Sequence, residues 1–443
     1  MRDMTVGKPL THLWRYALPL LLGNLLQLCY NAVDSIIAGR FIGQNALAAE
    51  GIAAPIMNLV ILAITGLTIG AGVLMSELFG AKDWPTLRRG MATVLLFGGA
   101  LSCAVSLLCV LLSPTFLSAL GVPSEIWDIT LIYLRITFLG APFTFFYNAL
   151  AAGLKSVGDS KTPLKFLAFS AILNAVLDLI FLGLLHFGIV CSAVTTVVAE
   201  GVSALLAGGH MLRKFPDLTP TGKEWAIDPS LLGRILRYGG PTALQQAVQP
   251  IGKVLIQGTV NSLGVSAIAA FNAVNRVDSF ALIPEQGIAS AIATFLAQNR
   301  GADQPDRLRP GFRAGLHLVA GYWVLIGILV ALFRSPIISL FVEGEGAGEV
   351  VAQGSAYLFW MAGFYILPGL TNAFQGFYRG MGKMVTTILG TFIQISLRVI
   401  FTRLLAPSRG LAGIAVASAI GWSCMLLFEI PYYFVTCRQK NLA

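Results

Sequence analysis

Long apolar runs separated by short polar stretches cover nearly all of the chain. Each run holds about 20 or more residues, enough to cross roughly 30 Å of hydrocarbon as an α-helix. They recur near 14–38, 48–78, 91–113, 127–153, 163–186, 188–212, 235–261, 267–298, 312–334, 350–378, 385–405 and 410–437. The pattern predicts an all-α integral membrane protein with twelve transmembrane helices. Gly and Pro inside these runs do not count against helix, because neighbouring helices satisfy the backbone groups they free.

The pattern also repeats, with its two copies about 220 residues apart, as internal symmetry in transporters often does. GAKDWPTLRRG at 80–90 returns as GADQPDRLRPG at 301–311, pairing Gly80, Ala81, Leu87, Arg88 and Gly90 with Gly301, Ala302, Leu308, Arg309 and Gly311. NALAAGLKSVGDSKT at 148–162 returns as NAFQGFYRGMGKMVT at 372–386, and SAVTT at 192–196 as IAVAS at 414–418. Two parallel six-helix repeats, related by a pseudo-twofold axis along the membrane normal, follow as the expected arrangement. The division is 1–212 for the first lobe, 213–234 for a Pro- and charge-rich cytoplasmic linker, and 235–443 for the second lobe.

Composition strengthens the membrane reading: 56% of the 443 residues are hydrophobic, 12% are charged, and the mean hydropathy is +0.77. Those values lie far from a soluble domain. Most of the 30 Lys and Arg fall at the termini and in alternate connections, among them Arg2, Lys8, Lys82, Arg88, Arg89, Lys155, Lys161, Arg307, Arg309 and Lys440. The other face carries Arg40, Arg334, Arg403 and Arg409 beside Glu125, Asp128, Glu343, Glu345 and Glu349. By the positive-inside rule both termini face the cytoplasm and the protein sits in the cell membrane. The net charge of +9 is thereby a signature of topology and gives no support to a nucleic-acid partner.

The first apolar run follows Arg2 and Lys8, but it is too long for a signal peptide and lacks a convincing cleavage site, so it reads as helix 1. The six cysteines show no CxxC or Cys/His spacing, which argues against disulfides and zinc. His12, His186, His210 and His317 form no ligand set. HExxH, paired GxGD-type aspartates and a Ser/His constellation are all missing, so an enzyme is not expected. No cofactor is expected either.

Polar residues inside the membrane are expensive and mark function by default. Asp34 lies about six residues from the outer end of the first run and Asp178 about eight from that of the fifth, so at 1.5 Å per residue their depths agree within roughly 3 Å. Asn174 precedes Asp178 by four residues and shares its helix face, and Thr196 enters the sixth run to a similar depth. Two carboxylates in one poorly hydrated site repel each other and lose solvation, which favours proton binding near neutral pH. The same oxygens suit a small hard cation such as sodium. The second repeat puts Leu255 opposite Asp34, Arg398 opposite Asn174 and Thr402 opposite Asp178. The alternative is that these polar groups only fix helix packing.

The seventh and eighth runs are unusually polar. Gln245, Gln249 and Lys253 form one stripe at spacing four, and Asp278 and Glu285 share a face at spacing seven around Pro284. These five residues outline a possible substrate cavity. The competing reading is an ion pair between Lys253 and Asp278, or one centred on Arg276, holding the two helices together. Glu50, Glu77, Glu200, Arg135 and Glu429 lie nearer run ends and read as structural.

Taken in order, Pro19-x14-Asp34 with AGRFIGQNALAA at 38–49, NAVLD at 174–178, GIVCSAVTT at 188–196 and AQNRGA at 297–302 resemble the multidrug and toxic compound extrusion family, MATE. The likeness covers nearly the whole chain. It implies two six-helix lobes around a central cavity and export of organic cations or other amphiphiles, coupled to inward flow of protons or sodium. It carries the coupling-ion role onto Asp34, Asn174, Asp178 and Thr196, as in DinF-like and archaeal members, and the helix 1 bend onto Pro19. Where NorM-like members carry a glutamate eight residues beyond a proline of the seventh helix, the count from Pro241 gives Gln249, so the likeness gives no support to a sodium site in the second lobe. The expected partners are small amphiphiles and membrane lipid, with the chain acting as a monomer. A lipid-linked oligosaccharide or lipid flippase is the alternative, although such proteins more often carry two further helices and a strongly cationic cavity.

Overall fold

A computed structural model describes residues 2–41, 44–342 and 346–439. Glu343, Glu345 and Lys440, counted above among the loop charges, lie outside the described residues, as does the Arg40 side chain.

Among the described residues the chain is helical almost throughout, with no strand. The order is α1 (Pro9–Phe41), α2 (Gln44–Gly80), α3 (Trp84–Thr93), α4 (Gly99–Ala119), α5 (Ser124–Ser156), α6 (Lys161–Asp178), α7 (Ile189–Lys214), α8 (Pro229–Asn261), α9 (Val265–Gly301), α10 (Leu308–Ser339), α11 (Ala347–Phe364), α12 (Ile366–Gly380) and α13 (Met384–Gln439). Short π-helical turns join α3 to α4 and extend α6.

Nine of the described helical stretches are long and apolar enough to cross a membrane, and α11 with α12, bent by 43°, form a further candidate. Two departures from the sequence pattern have physical causes. The stretch near 235–261 forms α8 but is not among the nine, because Gln245, Gln246, Gln249 and Lys253 dilute its apolar content. The runs near 385–405 and 410–437 follow one another without a loop as α13, which is two helices meeting at a kink where Gly410 (φ 56°, ψ −140°) takes a conformation that only glycine adopts without strain.

Loops that match in sequence also match in backbone. Lys82 and Asp303 both take a left-handed conformation, with φ of 56° and 51°. Lys82 N–H donates to Phe79 and Asp83 N–H to Leu78, while Asp303 donates to Arg300 and Gln304 to Asn299. Gly158 and Gly382, with φ of 82° and 74°, close the second matched pair of loops in the same way.

The chain divides into two compact units, one of Met1–Asp3 with Leu22–Ala243 and one of Met4–Leu21 with Leu244–Ala443. Relative to the division at 213–234, the leading segments of α1 and α8 are therefore exchanged. In the first unit α8 crosses α2 with little room to spare: a Cβ at Gly66 would lie 2.2 Å from Ala243 Cα, and one at Gly70 2.3 Å from Gly239 N. The core beneath this crossing gathers Leu67, Leu74, Met75, Met91, Phe145 and Leu154. In the second unit α1 crosses α9 at Gly287, where a Cβ would lie 3.2 Å from Leu21 N. Here the core is aromatic, with Tyr16, Phe295, Phe312, Phe377 and Tyr378 packed together.

Candidate functional site

In the first unit Asp34, Asn174, Asp178 and Thr196 come together. Asp178 and Asn174 are fully buried at the end of α6, and the helix leaves Asp178 through a π-helical turn, Leu179–Leu184. Such wide turns recur at functional sites because they re-aim the side chains beside them. The Asp34 and Asp178 carboxyls face one another within hydrogen-bonding reach.

Asn174 links the cluster when its amide is turned so that both ends meet complementary groups. Its nitrogen then donates to Asp178 Oδ2 and to the Tyr30 hydroxyl at 3.1 Å each, and its oxygen accepts from Thr196 Oγ1 at 3.2 Å and Thr196 N–H at 3.1 Å. Thr195 Oγ1 lies 2.5 Å from Asp178 Oδ1 and 2.8 Å from Ser192 O. An ionised Asp178 accepts the Thr195 proton. A protonated Asp178 can donate to Thr195, which then donates to Ser192 O, so both states of the carboxyl have a partner.

Asp34 Oδ1 is buried without a hydrogen-bond partner among the described residues, and a buried acceptor left bare costs about 1–3 kcal/mol. A proton or a small cation shared with Asp178 would relieve that cost. The neighbouring oxygens of Thr195, Thr196 and Tyr30 are the hard donors that such a cation takes. Glu50 and Glu200 lie near enough to interact electrostatically with the group, Glu50 through Asp34 and Glu200 through Tyr30. Thr144 donates to Glu200 at 2.5 Å.

Tyr30 and Thr195 were not among the residues singled out from sequence. Tyr30 sits one helical turn before Asp34, and that spacing was the available signal. Thr195 neighbours Thr196, and sequence alone does not say which of two adjacent residues faces α6. Pro19 is buried within α1, which continues through it as helix.

The second unit contains a partly open chamber of about 390 Å³. Of the five candidate residues Gln249, Lys253 and Asp278 line it, and Gln245 and Glu285 do not. Gln245 stands one layer behind, its Nε2 donating to Gln375 Oε1 at 2.9 Å and Thr391 Oγ1 at 2.8 Å, both wall residues, while Arg379 Nη2 donates to its Oε1 at 3.0 Å. Glu285 is buried near Gly369 and Asn372, with Oε2 lacking a partner among the described residues. Lys253 and Asp278 do not form an ion pair; Tyr365 donates to Asp278 Oδ1 at 2.6 Å. Arg276 lies over the Phe341 ring at 5.7 Å. Arg398, noticed in sequence only as the counterpart of Asn174, also lines the chamber.

A carboxyl pair inside an all-helical, multi-pass unit is suited to holding a proton or a small cation, and comparison with known proteins gives the class and the family. The MatE family profile matches residues 19–180 and 241–428. The chain is 31% identical over 440 residues to the Probable multidrug resistance protein YpnP of Bacillus subtilis (strain 168), covering 97% of this chain and 96% of that protein. It is 28% identical over 456 residues to the Probable multidrug resistance protein YoeA of the same strain, covering 99% and 97%. The crystal structure of MATE in complex with MaL6 superposes with a TM-score of 0.91 at 21% identity, over 100% of this chain and 99% of that one, and so shares its fold. The chain belongs to the MatE family of membrane transporters.

Proposed function

We propose that the protein is a secondary active efflux transporter that exports amphiphilic compounds, organic cations among them, in exchange for protons or sodium by alternating access. The Asp34–Asp178 pair, with Asp178 buried and one Asp34 oxygen buried without a partner among the described residues, carries this reading, and the multidrug resistance proteins it resembles support the substrate class. In this scheme the ion enters from outside, neutralises the pair through Asp34, Asp178, Asn174 and Thr196, and α1 bends near Pro19 as the compound leaves. Ion and compound oppose each other's binding by the same factor, as reciprocal coupling demands. The distribution of Lys and Arg supports a cell-membrane location with both termini cytoplasmic, and the paired aspartates support a place nearer the DinF-like and archaeal branch than the NorM branch.

The test uses purified protein in liposomes loaded with a fluorescent organic cation, under imposed proton or sodium gradients. Wild type moves the probe under one gradient, and folded Asp34→Asn loses that movement. Gradient-driven export that survives in Asp34→Asn would overturn the scheme.

A further inference from the structure

The chamber of the second unit has a charge pattern unlike that of the aspartate cluster. Its charged lining residues are Lys253 and Arg398 against one carboxylate, Asp278. That carboxylate is already engaged by the Tyr365 hydroxyl, and among the described residues neither cation comes within 4.0 Å of it. Arg398 Nε donates to Ser418 Oγ at 2.9 Å, its guanidinium lies 5.8 Å from the Trp422 ring centre, and it also reaches the Tyr357 hydroxyl; these contacts fix its position, and its five N–H groups leave donors for a further acceptor. Lys253 interacts electrostatically with both Arg398 and Asp278. The rest of the wall combines the rings of Phe271 and Trp422 with the amides of Gln249, Asn275, Gln375 and Gln394.

We propose that this chamber binds an amphiphilic aromatic monoanion, its carboxylate set between Lys253 and Arg398 and its ring against Trp422 and Phe271. Two cations facing one occupied carboxylate leave an uncompensated positive charge in a partly apolar space, where a ligand anion is worth more than in water. The volume falls in the range of small-molecule sites. A cation of the same shape meets two like charges. The inference adds an anionic class, bound in this chamber, to the compounds of the exporter proposed above; it rests on that reading for transport, but the binding itself does not.

The experiment is equilibrium binding to the full chain in neutral detergent, by fluorescence anisotropy corrected for empty micelles. The probes are coumarin-3-carboxylate, its methyl ester, and a coumarin carrying a trimethylammonium group in place of the carboxylate. The carboxylate binds at least ~10-fold more tightly than the other two, Lys253→Gln weakens it by ~10-fold or more without changing the ester, and Lys253→Arg retains it. Equal affinity for acid and ester, or an unchanged affinity in folded Lys253→Gln, would overturn the proposal. Phosphatidylglycerol added at ratios near one per protein leaves the probe bound, as does phosphatidylcholine. Displacement by phosphatidylglycerol alone would show that a lipid headgroup occupies the chamber and would overturn the soluble-anion assignment. No gradient is involved, so failure here and failure of the Asp34→Asn export test are separate results.

Discussion

Gly70→Ala tests whether the close crossing of α2 and α8 holds the first unit together. The added methyl would sit 2.3 Å from Gly239 N, 2.5 Å from Gly239 Cα and 2.6 Å from Tyr238 C. All three are backbone atoms, so no side chain can rotate away, and the helices must part by about 1 Å to restore van der Waals contact near 3.5 Å. Overpacking of this kind costs up to about 3 kcal/mol, while replacing glycine by alanine inside a helix returns about 0.5–1 kcal/mol. The net loss is about 2 kcal/mol, or roughly 4–8 °C in Tm for a unit of this size. Gly240→Ala is the matched control, because a Cβ there meets nothing within 4 Å. Thermal unfolding of both variants in detergent, followed by intrinsic fluorescence, should show Gly70→Ala melting several degrees below wild type and Gly240→Ala melting at or slightly above it. Equal melting temperatures would refute the claim that this contact is tight and rigid.

Two further predictions concern other parts of the molecule. Gln245→Leu removes two buried hydrogen bonds and a part-buried third, the one from Arg379, so it should lower stability by about 2–4 kcal/mol in the same melt, and an unchanged Tm would show that water or other groups replace the amide. On the linker, the Thr221 backbone N–H and the Arg88 guanidinium hold the Glu224 carboxyl below its ordinary range, and Ser230 and the Leu231 N–H do the same for Asp228. A lowered carboxyl favours the folded linker above the ordinary range and loses that effect as pH falls through the lowered value, so amide-exchange protection across 219–231 should drop below about pH 4. Glu224→Gln should show the loss already at neutral pH, and protection that is constant with pH in wild type would count against it.

Much of this could be read from sequence because membrane burial leaves few polar residues to explain. Depth alone brought Asp34 and Asp178 together, and the spacing of four brought Asn174 with them. The matched loops were equally plain, and the structure adds to them a left-handed backbone at Lys82 and Asp303 that the sequence did not announce. Depth and spacing say nothing, however, about rotation of one helix against another. That is why Thr195 went unrecognised beside Thr196, and why Gln245, on the same stripe as Gln249 and Lys253, turned out to stand behind the chamber wall. At its Lys253 end the stripe lines the chamber, and at its Gln245 end it packs against Gln375 of α12 and Thr391 of α13 instead.

The two units place opposite chemistry at equivalent positions. Asn174 bonds to Thr196 in the first unit, and its counterpart Arg398 bonds to Ser418, the counterpart of Thr196, in the second. The link between these two helices is thus made twice, by a neutral amide in one unit and by a permanent cation in the other. Where the first unit sets Asp34 and Asp178 around that link, the second has Leu255 and Thr402 in their alignment, and Thr402 Oγ1 is buried without a partner. A monovalent cation about 4 Å from a guanidinium at an effective dielectric near 20 is opposed by about 4 kcal/mol, close to a thousandfold in affinity. The amide imposes no such penalty. In the coupling scheme proposed above, a metal cation is therefore disfavoured beside Arg398 and tolerated beside Asn174, and the guanidinium that disfavours it is the one to which the proposed anion is assigned.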